Sequence, residues 1–133
     1  MKLPDLPKVL KRKEADFITT TFNKWLVSNH RTCVCEVKHT KGKDYLNFNE
    51  VKPHQIENLL KVRHATFVYK IRDMGETTPF DLFCMHEMPA YVVIKYNKGF
   101  VGISIDNFVT ESKCSKRRSL TWGRALEICV FSV

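Results

Sequence analysis

The stretch Thr32-Cys33-Val34-Cys35-Glu36-Val37-Lys38-His39-Thr40-Lys41 decides how this chain is read. It is a β-branched and apolar run, and side chains alternate along a strand. Glu36 and Lys38 therefore share one face, about 7 Å apart along the strand. Cys33, Cys35 and Val37 share the other. A carboxylate can hold a divalent cation, and an ammonium can steady charge developing on phosphate oxygens. The pair is thus a candidate part of a metal-dependent phosphodiester-cleaving site.

The tripeptide alone is weak evidence. Glu-x-Lys also occurs at Glu50-Val51-Lys52, which runs into Pro53, and at Glu111-Ser112-Lys113, in a polar segment. The first reads as a loop and the second as solvated surface. A plain surface ion pair is the competing reading of Glu36 and Lys38.

Upstream, residues 1–7 contain two prolines and read as an extended lead-in. Lys8 to Asn29 reads as a helix, with Ile18, Phe22, Trp25 and Leu26 on one stripe. Four residues back, that stripe meets Glu14, an acid on or beside an apolar face, where it is costly unless it serves a purpose. Asn29-His30-Arg31 is a turn. Downstream, Lys41-Gly42-Lys43-Asp44 is a basic loop, Tyr45 to Phe48 alternates, and Pro53 opens a helix over His54 to His64. Thr66 to Ile71 and Pro79 to Met85 read as strands around a loop at Arg72 to Thr78. Ala90 to Tyr96 is the most strand-like piece, followed by a turn at Asn97-Lys98-Gly99 and a return strand from Phe100 to Ile105. Val109 to Arg118 is polar and basic, and Ser119 caps a last helix from Leu120 to Val130. The order of elements predicts one α+β (mixed α/β) domain over residues 1–133, with a central mixed sheet flanked by helices and a basic C-terminal segment and helix at 109–133.

With 44% hydrophobic and 27% charged residues among 133, the chain has material for a core and no transmembrane run. No apolar signal-peptide region opens the sequence. The net charge of +8 favours a polyanionic partner, nucleic acid first and acidic membrane surfaces second. Five cysteines without C-x-x-C spacing read as reduced thiols in a cytoplasmic compartment, with Cys33 and Cys35 as small buried hydrophobes. The histidines show no metal-ligand spacing, and there is no Gly-rich phosphate loop.

The run Glu36 to Lys41, followed by Lys52-Pro53-His54-Gln55-Ile56-Glu57, resembles the RecU-type Holliday-junction resolvases of the PD-(D/E)xK nuclease superfamily. They too carry a Glu-x-Lys strand, a threonine- and lysine-containing loop and a His-Gln pair opening the next helix. The strand at Ala90 to Tyr96, its hairpin and Ile105-Asp106-Asn107-Phe108 are similar to the strands that follow there. Small phage-encoded resolvases look closer still, with Lys13-Glu14-Ala15-Asp16-Phe17 opening the first helix. The resemblance covers residues 13 to 108 and rests more on the order of its short motifs than on any one of them.

The resemblance implies a restriction-endonuclease-like core, Mg²⁺ (or Mn²⁺) as cofactor, and hydrolysis of DNA by a metal-activated water. Glu36 and Glu14 would ligate metal, Lys38 would be the catalytic lysine, and Gln55 would lie near the site. The family normally has an Asp on the strand before Glu-x-Lys, and here that stretch is helix-like. Asp16 and Asp81 are the candidates for this ligand, and the hairpin around Asp81 is expected to deliver it to Glu36. Lys41, Lys43 and His39 would contact phosphates near the site; Lys113, Lys116, Arg117 and Arg118, with Arg124, would follow a second duplex arm. A junction's two-fold symmetry implies a homodimer, with its face sought at Phe17, Phe22, Trp25 and the outer strands. If phage-encoded, the protein would work in the host cytoplasm. The alternatives are a nuclease for other branched or single-stranded DNA, a nucleic-acid-binding module without chemistry, and a basic adaptor using its sheet edge.

Overall fold

The computed structural model describes residues 13–71 and 80–133. The lead-in at 1–7, the start of the first helix, the basic residues 8–12, the loop at 72–78 and Pro79 lie outside the described residues.

The apolar run of Ala90–Tyr96 forms the centre of a four-stranded sheet. Both sheet faces are covered, so a nearly continuous apolar strand is what the position demands. Numbered in chain order, the strands are β1 (Val34–His39), β2 (Tyr45–Asn47), β3 (Thr66–Lys70), β4 (Leu82–His86), β5 (Ala90–Tyr96), β6 (Gly99–Ser104), β7 (Ser119–Thr121) and β8 (Phe131–Ser132). The sheet order is β1-β5-β6-β8, with β2–β7 and β3–β4 as separate two-stranded pairs. β1 runs parallel to β5, setting Glu36 beside Val92 and Lys38 beside Ile94; β6 is antiparallel to β5 and to β8. The helices are α1 (residues 13–29), α2 (Pro53–His64), α3 (Ile105–Cys114) and α4 (Trp122–Ile128). The architecture is α+β with a central mixed sheet, as expected.

Alternation along β5 divides the core. Val92, Ile94 and Tyr96 pack with Leu59, Val62, Ile103, Phe108 and Leu120 on the face covered by α2 and α3. Tyr91 and Val93 join Phe17, Phe22, Phe100 and Phe131 on the face covered by α1. Phe17 and Phe22 are therefore inside the protomer, 5% and 3% exposed, and cannot supply a dimer face. Trp25 is half-buried and stacks on Phe131 at 4.3 Å between ring centroids.

Helix α1 departs from the regular stripe. Ile18–Phe22 forms a π turn, closed by the Asn23 N–H bonding to the Ile18 carbonyl. The threonines there turn back on the chain: Thr19 Oγ1 donates to the Ala15 carbonyl at 3.0 Å, and Thr20 Oγ1 donates to that of Asp16. Such back-bonding loosens a helix. The wide turn puts Phe17, five residues before Phe22, on the core face and leaves Ile18 40% exposed.

The C-terminal third also differs from expectation. Ile105 to Phe108 is the first turn of α3, whose N-cap Ser104 accepts from the Asn107 N–H at 3.2 Å. Ser119 belongs to β7, and the helix cap is Thr121.

The C-terminal strand depends on Gly102. It pairs with Phe131, and a Cβ at this position would run into the Phe131 ring. Trp25 and Tyr91 hold that ring from two sides. Gly102→Ala is expected to cost about 1–3 kcal/mol by overpacking, seen as a lower urea midpoint with an unchanged slope.

Candidate active site at the edge of strand β1

β1 is an outer strand, and its backbone has two sides. The Val34 N–H bonds to the Pro89 carbonyl at 2.9 Å and the Thr40 N–H to that of Lys95 at 3.0 Å. Even-numbered residues thus direct their amides to β5, and odd-numbered ones direct them to the open edge.

On the side-chain face shared with Val92 and Ile94, Lys38 Nζ lies 3.2 Å from Glu36 Oε1, with the two side chains 14% and 27% exposed. Gln55 Nε2 donates to the same Oε1 at 2.8 Å. The orientation of this amide is fixed from its other end, because Gln55 Oε1 accepts the Lys52 N–H at 2.9 Å. A reversed amide would set oxygen against carboxylate and NH₂ against N–H. With Pro53 in the first turn of α2, the helix start clamps Gln55 onto Glu36. Both donors meet one oxygen, so Glu36 Oε2 is the one left for another partner.

Glu14 arrives from the opposite sheet face, around the open edge. Burial pushes its pKa up, Lys38 and Lys41 pull it down, Glu36 pushes it up, and the His39 backbone N–H pulls it down. The net result is a raised value. The same influences place Glu14 within electrostatic reach of Glu36, Lys38 and Lys41.

The structure therefore brings Glu36, Lys38 and Gln55 into contact, with Glu14 and Lys41 near enough to act electrostatically. It does not bring Asp81 to them. The β3–β4 hairpin leaves α2 at its C-terminal end, the end opposite Gln55, and Asp81 sits at the hairpin's outer end, where its carbonyl accepts from the Ile71 N–H and its side chain is exposed. Asp16 is exposed on the far side of β1, in a groove with Lys13, Thr20, His39 and Lys95. Among the described residues no three His, Cys, Asp or Glu side chains converge as a metal-binding group. The expectation that an inserted hairpin delivers Asp81 to Glu36 is corrected, because the hairpin grows from the wrong end of the helix.

His39 is engaged within its own loop. Burial and the cations Lys13, Lys95 and Lys41 push its pKa down. Its Nδ1 accepts the Lys41 N–H at 2.8 Å, which pins the basic loop. Lys41 and Gly42 take positive φ there, and Lys43 Nζ lies 5.7 Å from the Tyr45 ring centroid.

The other Glu-x-Lys copies have structural roles. Glu50 accepts the Asn47 N–H as a cap, and Glu111 pairs with Arg124 at 2.9 Å. Arg124 also pairs with Glu127 at 2.7 Å, so it is engaged with carboxylates rather than free for a duplex arm. Lys113 is exposed in the last turn of α3.

Sequence reading missed two features. Lys116, Arg117 and Arg118 line a hollow of about 500 Å³ with Asn47, Asn49 and Ser112. No sequence signal joins these segments; the β2–β7 pairing does, with the Phe48 N–H bonded to the Arg118 carbonyl at 3.0 Å. On the far face of β1, the Cys33 and Cys35 thiols touch at 3.5 Å. The Cys35 thiol holds Cys33 down at about 7, against burial and with help from Arg31, while Cys35 itself is pushed up. All five cysteines are free.

Comparison with protein-family models, with characterised proteins and with solved structures finds no match. No helix among the described residues is long and apolar enough to cross a membrane.

The raised pKa of Glu14 has a stability consequence with a definite sign. The folded state binds its proton more tightly than the unfolded state, so stability falls as pH rises from the ordinary glutamate range through the raised value. Glu14→Gln is expected to match the wild type at acid pH and to melt higher near neutrality. Added Mg²⁺ is expected to raise the neutral melting temperature of the wild type and to leave the variant unchanged.

Proposed function

We propose that the protein is a metal-dependent, structure-selective DNA endonuclease that acts as a Holliday-junction resolvase. The observation that carries this reading is the meeting of Lys38 Nζ and Gln55 Nε2 on one oxygen of Glu36, with Glu14 at the same strand edge. The donor set fits Mg²⁺, a hard cation bound through one or two carboxylates, with waters and substrate phosphate filling the rest. Glu36 and Glu14 would hold it, with Mn²⁺ as a substitute. When bound, the ion would supply Lewis-acid stabilisation and a more acidic water.

The residues have distinct tasks. Gln55 fixes the Glu36 carboxylate by occupying Oε1. Lys38, largely shielded from solvent, offers its ammonium to a phosphate oxygen as negative charge develops there. Lys41 adds positive charge beside the site. Lys116, Arg117 and Arg118 form no ion pair with the described residues, and their hollow suits backbone phosphates of a second arm. Phosphate contacts position a substrate without reading its sequence. That suits an enzyme selecting branched DNA, four-way junctions first and other branched or single-stranded forms second. Paired cuts in a two-fold junction imply a homodimer. Five free cysteines suit a reducing compartment such as the cytoplasm.

A second reading is a DNA-binding module without cleavage. It is favoured by the placement of Asp81, which leaves two carboxylates where the resembled family has three. A synthetic four-way junction in Mg²⁺ and Mn²⁺ separates the two. The resolvase reading expects symmetric nicks. Glu36→Gln and Lys38→Met should each slow single-turnover cleavage about 100-fold or more, with melting temperatures retained, and Asp81→Ala should cut at the wild-type rate. Tight binding with no nick in either metal would support the module instead.

The basic hollow has its own expected outcome. Each phosphate contact contributes about 0.9 to the slope of log K against log salt. Lys116→Ala combined with Arg117→Ala should therefore lower that slope by about 2 and weaken binding to all sequences alike, as read by fluorescence anisotropy.

A further inference from the structure

We propose that Cys33 and Cys35 form a two-thiolate binding site for a soft monovalent cation of the copper(I) type. The two sulfurs are 3.5 Å apart on one face of β1. They open into an apolar groove of about 240 Å³ lined by Ile18, Phe22, Leu26 and Val37, with Arg31. Thiolates select soft cations.

Coordination number decides which soft cation. Among the described residues no third His, Cys, Asp or Glu joins the pair as a metal-binding group. Tetrahedral zinc, which takes four ligands, is therefore poorly served, whereas a d¹⁰ monovalent ion accepts two sulfurs in line. A metal–thiolate bond of about 2.3 Å places two in-line sulfurs about 4.6 Å apart. The thiols need to part by only about 1 Å, a rotamer-scale adjustment.

Charge also closes. Binding releases two thiol protons to solvent and forms two S–metal bonds with no change in oxidation state. Two thiolates and one monovalent cation leave one negative charge, and Arg31 supplies one positive charge in the same groove. Its guanidinium is held in place, 5.6 Å from the Trp25 ring centroid and 5.4 Å from that of Phe131. The walls of the groove around the two sulfurs are mainly apolar. A disulfide is the poorer use of this pair: residues two apart on a strand have Cα atoms about 6.6 Å apart, at the far end of the usual disulfide span.

The site is independent of the nuclease reading, because the cysteines face away from Glu36 and Lys38 across the strand. The test is anaerobic titration of the reduced protein with Cu(I) against a chromophoric Cu(I) chelator, using a Cys84→Ser/Cys114→Ser/Cys129→Ser background. One equivalent should bind, and X-ray absorption should show two sulfur neighbours and no nitrogen or oxygen. Cys33→Ser or Cys35→Ser should weaken binding more than about 100-fold, and Arg31→Leu about 10-fold. Unchanged affinity in either serine variant, nitrogen or oxygen neighbours in the spectrum, or loss of the bound equivalent in the background variant would overturn the proposal. The spectrum of the background protein decides the question even if a serine variant fails to fold.

Discussion

The parallel pairing of β1 with β5 is the constraint on which the rest depends. It fixes which β1 amides point inward and which face the open edge. It also fixes which side chains stand over the α2 face and which over the α1 face. A register slip of one residue would exchange those faces: Glu36 and Lys38 would meet the aromatic cluster beneath α1, and the cysteines would meet Gln55. Packing forbids this, since Phe17, Phe22 and Phe100 leave no room for a buried charge pair.

The strand edge also explains how acids from two sheet faces can meet. In the sheet interior, Glu14 and Glu36 would be separated by the sheet itself. At an outer strand a side chain can reach around, and Lys38, Lys41 and the outward His39 N–H favour its charged form there. The raised pKa of Glu14 is chiefly the cost of half-burying a carboxylate, with Glu36 adding to it, and such perturbed groups concentrate at functional sites.

Much of this was legible in the sequence. β1, β5 and α2 are visible because their periods are clean and Pro53 marks a helix start. Gln55 is readable because a glutamine in the first turn can cap its own helix and still present an amide. α3 was not read, although Ser104 before Ile105 and Asp106 is a capping signal, because the strand-like alternation of Val101, Ile103 and Ile105 runs on past the end of β6. The position of Asp81 was not legible, since the direction in which a hairpin leaves a helix depends on packing far along the chain. The Cys33–Cys35 contact was visible as a spacing but looked like ordinary core, since periodicity does not report whether two thiols touch.

The π turn at Ile18–Phe22 makes α1 two half-helices out of phase. Its second half is locked by Phe22 and Trp25 against the sheet. Its first half is turned by about 100°, the advance of a single residue, relative to where an unbroken helix would carry it. Loss of one residue among the three threonines would restore the regular phase and swing Glu14 off the β1 edge while sparing the Phe22 and Trp25 anchor. The acid's position is therefore encoded by chain length as much as by residue identity, and a relative lacking the extra residue would have to draw its second carboxylate from another element.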